Sequence, residues 1–242
     1  MRFISNECTP AAKPGIDRDT NVVSANNPDV KLDSERFIPL YPIRTDPEKI
    51  FTSGTDYRYS NTGYALLAMI VEKKSGLTFS EFLKENIFSP LEMNNSVAHQ
   101  EGISNITNRA YGYSQEDDGY NLDDQSLTSA VLGDGGIYTS LNDMFRWDQS
   151  LYVDTLIPYE ILNEAFTSGE LSSGEKTGYG FGWRMDTYLY RNRAHHTGST
   201  RGFRNVFMRF PDQKISILIL TNRNSGKPIN IAEKIADYLF DA

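Results

Sequence analysis

The sequence predicts an α+β fold, in which a mainly helical region precedes an antiparallel sheet flanked by a last helix. Apolar residues at helical spacing and capping patterns predict three helices between residues 61 and 151. Four segments with a strand pattern follow between residues 179 and 221. Residues 1–50 are polar, rich in Pro, Asn and Asp, and predicted to be irregular. The chain thus divides into residues 1–50, 51–178 and 179–242, and we expect one folded unit.

Composition and charge narrow the classes of function and partner. The 24 basic and 32 acidic side chains give a formal net charge of −8, and Lys and Arg are scattered, which argues against nucleic acid as a partner. No apolar run approaches the roughly 20 residues that a membrane span requires. The single cysteine, Cys8, cannot form an internal disulfide, and no Cys/His spacing resembles a zinc site. We expect neither a structural metal nor a cofactor.

Two helices are predicted after a turn at residues 53–56. The first is half-buried and ends at Gly76. The second begins at Thr78, whose hydroxyl forms a capping box with Glu81, and it ends before Pro90. The apolar residues at helical spacing in the first helix are Tyr64, Leu67, Ala68 and Val71.

The segment from Gly102 to Ala130 shows no clear period and is predicted to be a solvated loop. Its acidic residues are Glu116, Asp117, Asp118, Asp123 and Asp124. A calcium site is the alternative, but the spacing does not match a known calcium loop.

A glycine-rich string, Gly133-Asp134-Gly135-Gly136, indicates tight backbone packing before the third helix. Ser140, with Asp143 three residues on, marks the start of that helix. Met144, Trp147 and Leu151 form its apolar side.

The strand region is predicted to be an antiparallel meander followed by a helix. Its strands are Tyr179–Met185, Tyr188–Thr197, Phe203–Phe210 and Ile215–Thr221. The last helix runs from Asn230, its predicted cap, to Leu239, with Glu233 at its third position. Ile231, Ile235 and Leu239 share one face, which we expect to pack on the sheet.

Three short strings contain candidate functional residues: Tyr59-Ser60-Asn61, the glycine-rich string at 133–136, and His196-Thr197-Gly198. Each string alone is a weak signal. A Tyr-x-Asn triplet often arises by chance, and a lone Tyr59 is more often a half-buried packing residue than a catalytic one. Together, in this order along the chain, the three strings are a stronger signal than any one of them alone.

In that order and context, the strings resemble the serine β-lactamase-like family of class C β-lactamases, penicillin-binding D-alanyl-D-alanine peptidases and related esterases. The resemblance covers about residues 51 to 242, and Glu92 replaces a glycine that is usual in the family. The matching strings are Tyr59-Ser60-Asn61, Pro90-Leu91-Glu92-Met93, Gly133-Asp134-Gly135-Gly136, Tyr179-Gly180-Phe181-Gly182-Trp183 and His196-Thr197-Gly198. The resemblance implies a β-lactamase/transpeptidase-like fold and a small-molecule or peptide acyl substrate.

The resemblance also implies roles for the first string. A serine hydroxyl becomes a good nucleophile only when a neighbouring base takes its proton, and in this family a lysine and a tyrosine do so. Tyr59 is the matching tyrosine. Asn61 would hold that lysine or the substrate amide through its side-chain carbonyl and NH₂ groups.

The strand at His196 would line the site, with Thr197 and Gly198 binding the acyl part of the substrate. The backbone N–H of Ser199 would be one of two donors to the oxyanion. A histidine in place of the family's lysine is only partly charged at neutral pH, and it would bind a substrate carboxylate less strongly. This favours peptidase or esterase chemistry over penicillin hydrolysis. The resemblance assigns no role to His99 or His195, which we expect to be surface or packing residues.

The Ser-x-x-Lys nucleophile of the family is missing from its expected place upstream of Tyr59. The one match to those letters, Ser173-Gly174-Glu175-Lys176, lies in a region rich in Gly and Ser and predicts an exposed turn. We therefore expect a fragment of a longer hydrolase, inactive by itself. The alternative is a pseudo-enzyme that binds cell-wall peptide or another acyl ligand, so whether the chain is an enzyme stays open.

The resemblance also implies a first helix and two strands that complete the sheet beside the last strand. Without them the sheet is incomplete, and Ile215–Thr221 is an apolar edge that favours homo-oligomers unless residues 1–50 cover it. By family analogy alone the compartment is periplasmic or extracellular.

Overall fold

The computed structural model describes residues 51–100, 102–125 and 131–241, so the irregular segment predicted for residues 1–50 lies outside the described residues. The helices are α1 (Asn61–Ser75), α2 (Phe79–Leu83) with a π-helical turn (Lys84–Phe88), α3 (Leu141–Ser150), α4 (Tyr159–Glu164) and α5 (Pro228–Phe240). The strands are β1 (Val97–Ala98), β2 (Tyr113–Glu116), β3 (Gly119–Leu122), β4 (Ile137–Tyr138), β5 (Arg184–Tyr188), β6 (Arg191–Thr200), β7 (Phe203–Phe210) and β8 (Ile215–Thr221).

Helix α1 ends as predicted, and of its predicted apolar positions Ala68 is buried and Tyr64 and Val71 are half-buried, so only Leu67 departs from the prediction. Gly76 ends it in the left-handed conformation, with φ 74°. The buried side chains are Ala65 and Ala68, whereas Leu67 is 52% exposed. The reason lies in the glycine-rich string, because a Cβ on Gly133 would lie 2.8 Å from the Ala68 side chain. The small residues therefore face this backbone, and the predicted tight packing is confirmed.

The caps of the next two helices are confirmed. Thr78 and Glu81 form the capping box of α2, and Ser140 accepts a hydrogen bond from the backbone N–H of Asp143 at the start of α3. Met144 lies in the core at 1% exposure.

The acidic segment forms a hairpin, so the prediction of a loop was wrong for residues 113–122. Strands β2 and β3 pair with Tyr113 opposite Leu122, and the turn contains Asp117 and Asp118. Every residue of β3 is exposed, which explains why no apolar period marked it. Asp123 and Asp124 form ion pairs with Arg201 and Arg109.

The antiparallel meander is confirmed as a sheet in the order β5-β6-β7-β8, and β7 and β8 have their predicted bounds. The first strand begins five positions later than predicted, at Arg184, because a turn at Gly180–Gly182 precedes it. The second begins at Arg191 rather than Tyr188. Leu189 and Tyr190 form the intervening turn with φ 47° and 58°, a conformation that such residues rarely adopt.

Helix α5 corrects two predictions. It begins with Pro228 in its first turn and Lys227 as the N-cap, so Asn230 is not the cap. The face on the sheet is centred on Ala232 and Ala236, whose small side chains allow close approach, and Ile229 and Phe240 pack beside them. Ile231, Ile235 and Leu239 are 54, 40 and 45% exposed, so their predicted packing on the sheet was wrong.

The sheet separates two apolar cores. Its inner face packs on the helical region, with Ala194, Phe207 and Trp183 in the larger core. Its outer face packs on α5 through Val206, Met208, Phe210 and Ile217. Strand β8 is the edge of the sheet in the part of the chain that the structure describes. Within the same residues no helix is long and apolar enough to cross a membrane.

Candidate active site

The fold brings the two strings most distant in sequence together. Tyr59 directly precedes Ser60, the N-cap of α1, and Asn61 is the first residue of that helix. His196 lies on the inner face of β6, opposite Phe207 of β7. The ring centroids of Tyr59 and His196 are 6.0 Å apart. The loop before α1 and the central part of β6 therefore form two walls of one site.

The glycine-rich string supplies a third wall. A small pocket is lined by Tyr59, Tyr64, Gly133, Asp134, Tyr179, Gly182 and His196. Asp134 is only 6% exposed, so its carboxylate lies in a site otherwise surrounded largely by aromatic rings. From the sequence we expected tight packing at this string but did not anticipate an acidic group in the site.

Tyr179 contacts both Tyr59 and His196, although the sequence predicted no site role for it. Its hydroxyl lies 3.3 Å from Nε2 of His196, and its ring meets that of Tyr59 edge-on at 6.0 Å. Burial, followed by the neighbouring phenols of Tyr64 and Tyr59, raises its pKa far above the ordinary value. The signal was present, because Tyr179 opens the Tyr-Gly-x-Gly-Trp string, but no role was attached to it.

A guanidinium lies at the tyrosine cluster. Cζ of Arg184 is 5.7 Å from the ring centroid of Tyr59 and 5.9 Å from that of Tyr179. The ring of Tyr57 packs on that of Tyr179. Burial raises the pKa of Tyr57, although the charge of Arg184 opposes that rise. The site thus contains one cation and one carboxylate among several phenols.

The His-Thr-Gly strand has an open edge beside the site. Strand β5 pairs with β6 only as far as Arg184 opposite His195. From His196 to Thr200, β6 is paired with β7 on one side, and no strand among the described residues pairs with its other side. A free strand edge can bind an extended ligand through backbone groups.

An apolar groove adjoins the same strand. Its lining residues are Trp183, His196, Thr197, Gly198, Asn205, Val206, Phe207, Leu218 and Leu220. His196 lines both the groove and the tyrosine pocket, while Ser199 is half-buried further along β6. The predicted substrate-binding residues Thr197 and Gly198 therefore lie beside His196 in the lining of this groove.

The Ser-x-x-Lys letters at 173–176 lie in an exposed turn, as expected. Gly174 has φ 86°, and Lys176 forms an ion pair with Glu170. Ser173 and Lys176 do not lie on a helix.

Sequence comparisons identify relatives that are longer than this chain. A family model described as Beta-lactamase matches residues 43–240. Penicillin-binding protein 4* of Bacillus subtilis (strain 168) is 31% identical over 216 residues, which cover 77% of this chain and 48% of that protein. The D-aminopeptidase of Gluconobacter oxydans (strain 621H) is 25% identical over 187 residues, with coverage of 77% and 35%. The chain thus spans less than half the length of these relatives.

Solved structures show the same fold. The octameric penicillin-binding protein homologue from Pyrococcus abyssi has a TM-score of 0.76 and 26% identity, over 87% of this chain and 48% of that one. The D-amino acid amidase from Ochrobactrum anthropi SV3 has a TM-score of 0.70 at 18% identity, over 88% of this chain and 65% of that one. The predicted β-lactamase/transpeptidase-like α+β fold is confirmed.

Proposed function

Because this chain belongs to the beta-lactamase family, as its motifs predict, we propose that it supplies part of a serine hydrolase site that works through an acyl-enzyme. The observation that carries this proposal is the meeting of Tyr59 and His196 at 6.0 Å, with Asp134 and Tyr179 in the same pocket. Residues that belong to separate elements converge there on an open strand edge.

In the proposed mechanism, the cation of the lysine beside the serine holds Tyr59 as a phenolate, which accepts the proton of the attacking serine hydroxyl. The serine Oγ forms a bond to the substrate carbonyl carbon, Tyr59 returns the proton to the nitrogen or oxygen of the leaving group, and the amine or alcohol departs as the carbonyl re-forms. The backbone N–H of Ser199 stabilises the oxyanion. Water then hydrolyses the acyl-serine. Asn61 positions the substrate amide or the lysine beside the serine, while Thr197 and Gly198 bind the acyl part.

The serine and its lysine are proposed to come from sequence that precedes Met1. The only Ser-x-x-Lys letters of the chain lie in an exposed turn, where Lys176 pairs with Glu170, and this supports the proposal. Such a site needs the serine and the lysine on one helix face, one turn apart.

We propose peptides, amides or esters as the substrate class rather than penicillins. His196 stands where lysine is usual, and a partly charged imidazole binds a carboxylate less strongly than an ammonium group does. Two relatives are named for related chemistry, the D-aminopeptidase and the D-amino acid amidase. An amide bond next to a D-configured residue is therefore the first substrate to test.

The second candidate function is a pseudo-enzyme that binds cell-wall peptide or another acyl ligand without chemistry. The missing nucleophile motif favours it, and the apolar groove beside His196 would hold the ligand. The gene distinguishes the two functions, because an in-frame Ser-x-x-Lys upstream of Met1 supports the hydrolase, and a start codon without one supports the pseudo-enzyme.

Covalent labelling tests the hydrolase at the protein level. A fluorescent fluorophosphonate, which reacts with an activated serine and carries no carboxylate, should give no adduct with the present chain, and one adduct, on the upstream serine, with the product of the complete reading frame. Intact mass and peptide mapping locate the label. Labelling of the present chain would contradict the missing nucleophile.

We also propose that the chain associates with copies of itself through the edge of β8. Half-buried apolar residues line this strand, and its outer edge has no strand partner among the described residues. Mass in dilute solution tests this proposal, and a monomer at all concentrations would contradict it.

A further inference from the structure

His196 is held at both ring nitrogens although it is only 8% exposed. Its Nδ1 lies 2.7 Å from the backbone carbonyl oxygen of Thr197, and its Nε2 lies 3.3 Å from the hydroxyl of Tyr179. A carbonyl oxygen can only accept a hydrogen bond. Nδ1 therefore carries a proton and donates it to Thr197.

The proton on the other nitrogen depends on Tyr179. Burial and, after it, the phenols of Tyr64 and Tyr59 raise the pKa of Tyr179, so its hydroxyl keeps its proton. The same hydroxyl shares a hydrogen bond with Tyr64, and it donates to Nε2 of His196 when Tyr64 is the donor in that bond. The neutral imidazole with a proton on Nδ1 offers a lone pair at Nε2, which accepts that bond. An imidazolium would instead direct a second N–H at the phenol oxygen.

The charged groups around the pocket act in opposite directions. The carboxylate of Asp134 lines the same pocket and favours an imidazolium. Arg184, whose Cζ lies 5.9 Å from the ring centroid of Tyr179, and the apolar groove that His196 also lines both disfavour an imidazolium. The hydrogen bond that Tyr179 donates to Nε2 also disfavours an imidazolium, because it requires a lone pair on that nitrogen.

We propose that Tyr179 is a positioning residue that holds His196 as a neutral imidazole with its proton on Nδ1. The protonation state of His196 is argued from its contacts alone, and only its effect on substrate choice rests on the proposed function. The strand then presents an uncharged, fixed ring to the substrate in place of the cation that a lysine would give. Amide and ester substrates need no cation at this point, whereas a substrate carboxylate does.

The backbone around Tyr179 is suited to this role. Its carbonyl accepts a hydrogen bond from the N–H of Gly169 at 2.9 Å. A Cβ on Gly180 would lie 2.2 Å from the carbonyl oxygen of Ala165, so the chain there fits tightly against its neighbour. The ring of Tyr57 packs on that of Tyr179 at 5.5 Å. The hydroxyl is therefore held in place rather than free to swing away.

Nuclear magnetic resonance of the ring nitrogens tests the proposal on the present chain. The chain has three histidines, and His196→Gln identifies the signals of interest. At pH 7 the wild-type ring should be neutral and protonated on Nδ1. In Tyr179→Phe the ratio of imidazolium to neutral ring should rise about five-fold, the factor that one hydrogen bond of about 1 kcal/mol gives.

Tyr57→Phe is the matched control, because it removes a phenol from the same cluster without touching His196. It should leave the His196 signals unchanged. A wild-type imidazolium, a proton on Nε2 alone, or identical spectra for wild type and a folded Tyr179→Phe would overturn the proposal. If Tyr179→Phe does not fold, the wild-type protonation state still decides. The resonance measurement needs no nucleophile. The proposal for His196 can therefore fail while the hydrolase function stands, and the hydrolase function can fail while the proposal for His196 stands.

Discussion

The two faces of the sheet carry the same kinds of residue in opposite surroundings. Each face has one buried histidine and one buried arginine. His196 and Arg209 lie on the inner face, and His195 and Arg193 lie on the outer face. The inner histidine lines the candidate active site, whereas the outer one packs beside Asp186. Strand alternation alone thus separates the histidine of the candidate site from the one that packs on the outer face.

The two arginines differ in how exposed to solvent their carboxylate partners are. Arg209 is 1% exposed and donates to Asp148 of α3 at 2.7 Å, and the side chain of Asp148 is 9% exposed. Arg193 binds Asp186 and Glu233, whose side chains are 45% and 30% exposed. Removal of one partner should destabilise the fold far more in the buried pair, where water cannot solvate the remaining charge, than in the solvent-exposed cluster. The inner pair therefore ties α3 firmly to the sheet behind the site.

The largest effect is expected from breaking the inner pair. Asp148→Asn leaves the buried charge of Arg209 without a counter-charge, and it should lower the free energy of unfolding by about 3–5 kcal/mol. Urea unfolding measures this loss. Asp117→Asn, on the exposed turn of the hairpin, should change stability by less than about 0.5 kcal/mol. Equal effects of the two substitutions would contradict the description of the inner pair.

Breaking the outer cluster should cost less. Glu233→Gln removes one of two carboxylates that bind Arg193, but Asp186 still holds the guanidinium with two hydrogen bonds. We expect a loss of about 1 kcal/mol in the same urea experiment. A loss as large as that of Asp148→Asn would show that solvent is excluded from the outer cluster as completely as from the inner pair.

The smallest effect is a pH dependence that involves the outer histidine. Burial, and then the charge of Arg193, lower the pKa of His195, so it is neutral in the folded protein. The unfolded chain takes up the proton below about pH 6.5. Stability therefore falls as the pH drops from about 6.5 toward the lowered pKa of the folded state.

His195→Gln tests that dependence. The substitution should flatten the change in the urea midpoint between pH 7.5 and 5.5, compared with wild type. Asp186 does not contribute in this window. Burial alone would raise the pKa of Asp186, but hydrogen bonds from Arg193 hold it below its ordinary value, so Asp186 stays charged. An unchanged pH dependence would contradict the assignment.

Sequence patterns predicted the sheet better than the surfaces that pack on it. Strands β7 and β8 have the predicted bounds because their apolar runs are flanked by clear turn residues. The buried face of α5 was wrong because large apolar residues were expected inside, whereas two alanines allow the helix to approach the sheet. Periodicity reports apolar positions, but which of them are buried depends on the partner surface.

The candidate site shows a similar division. The strings identified Tyr59 and His196, and the fold brings them together. Tyr179 and Asp134 both lie within strings that the sequence singled out, but their place in the site depends on contacts between distant elements, which a local pattern does not contain. The hairpin was missed for a different reason, since its second strand is wholly exposed and has no apolar face to mark it.

Steady-state kinetics of the complete reading frame product test the central claim most directly, that Tyr59 is the proton acceptor of a serine hydrolase site. With a D-alanine anilide as substrate, Tyr59→Phe should lower kcat by about 10²–10⁴. Tyr190→Phe, at the fully exposed turn between β5 and β6, should leave kcat unchanged. A Tyr59→Phe enzyme as active as wild type would contradict the account.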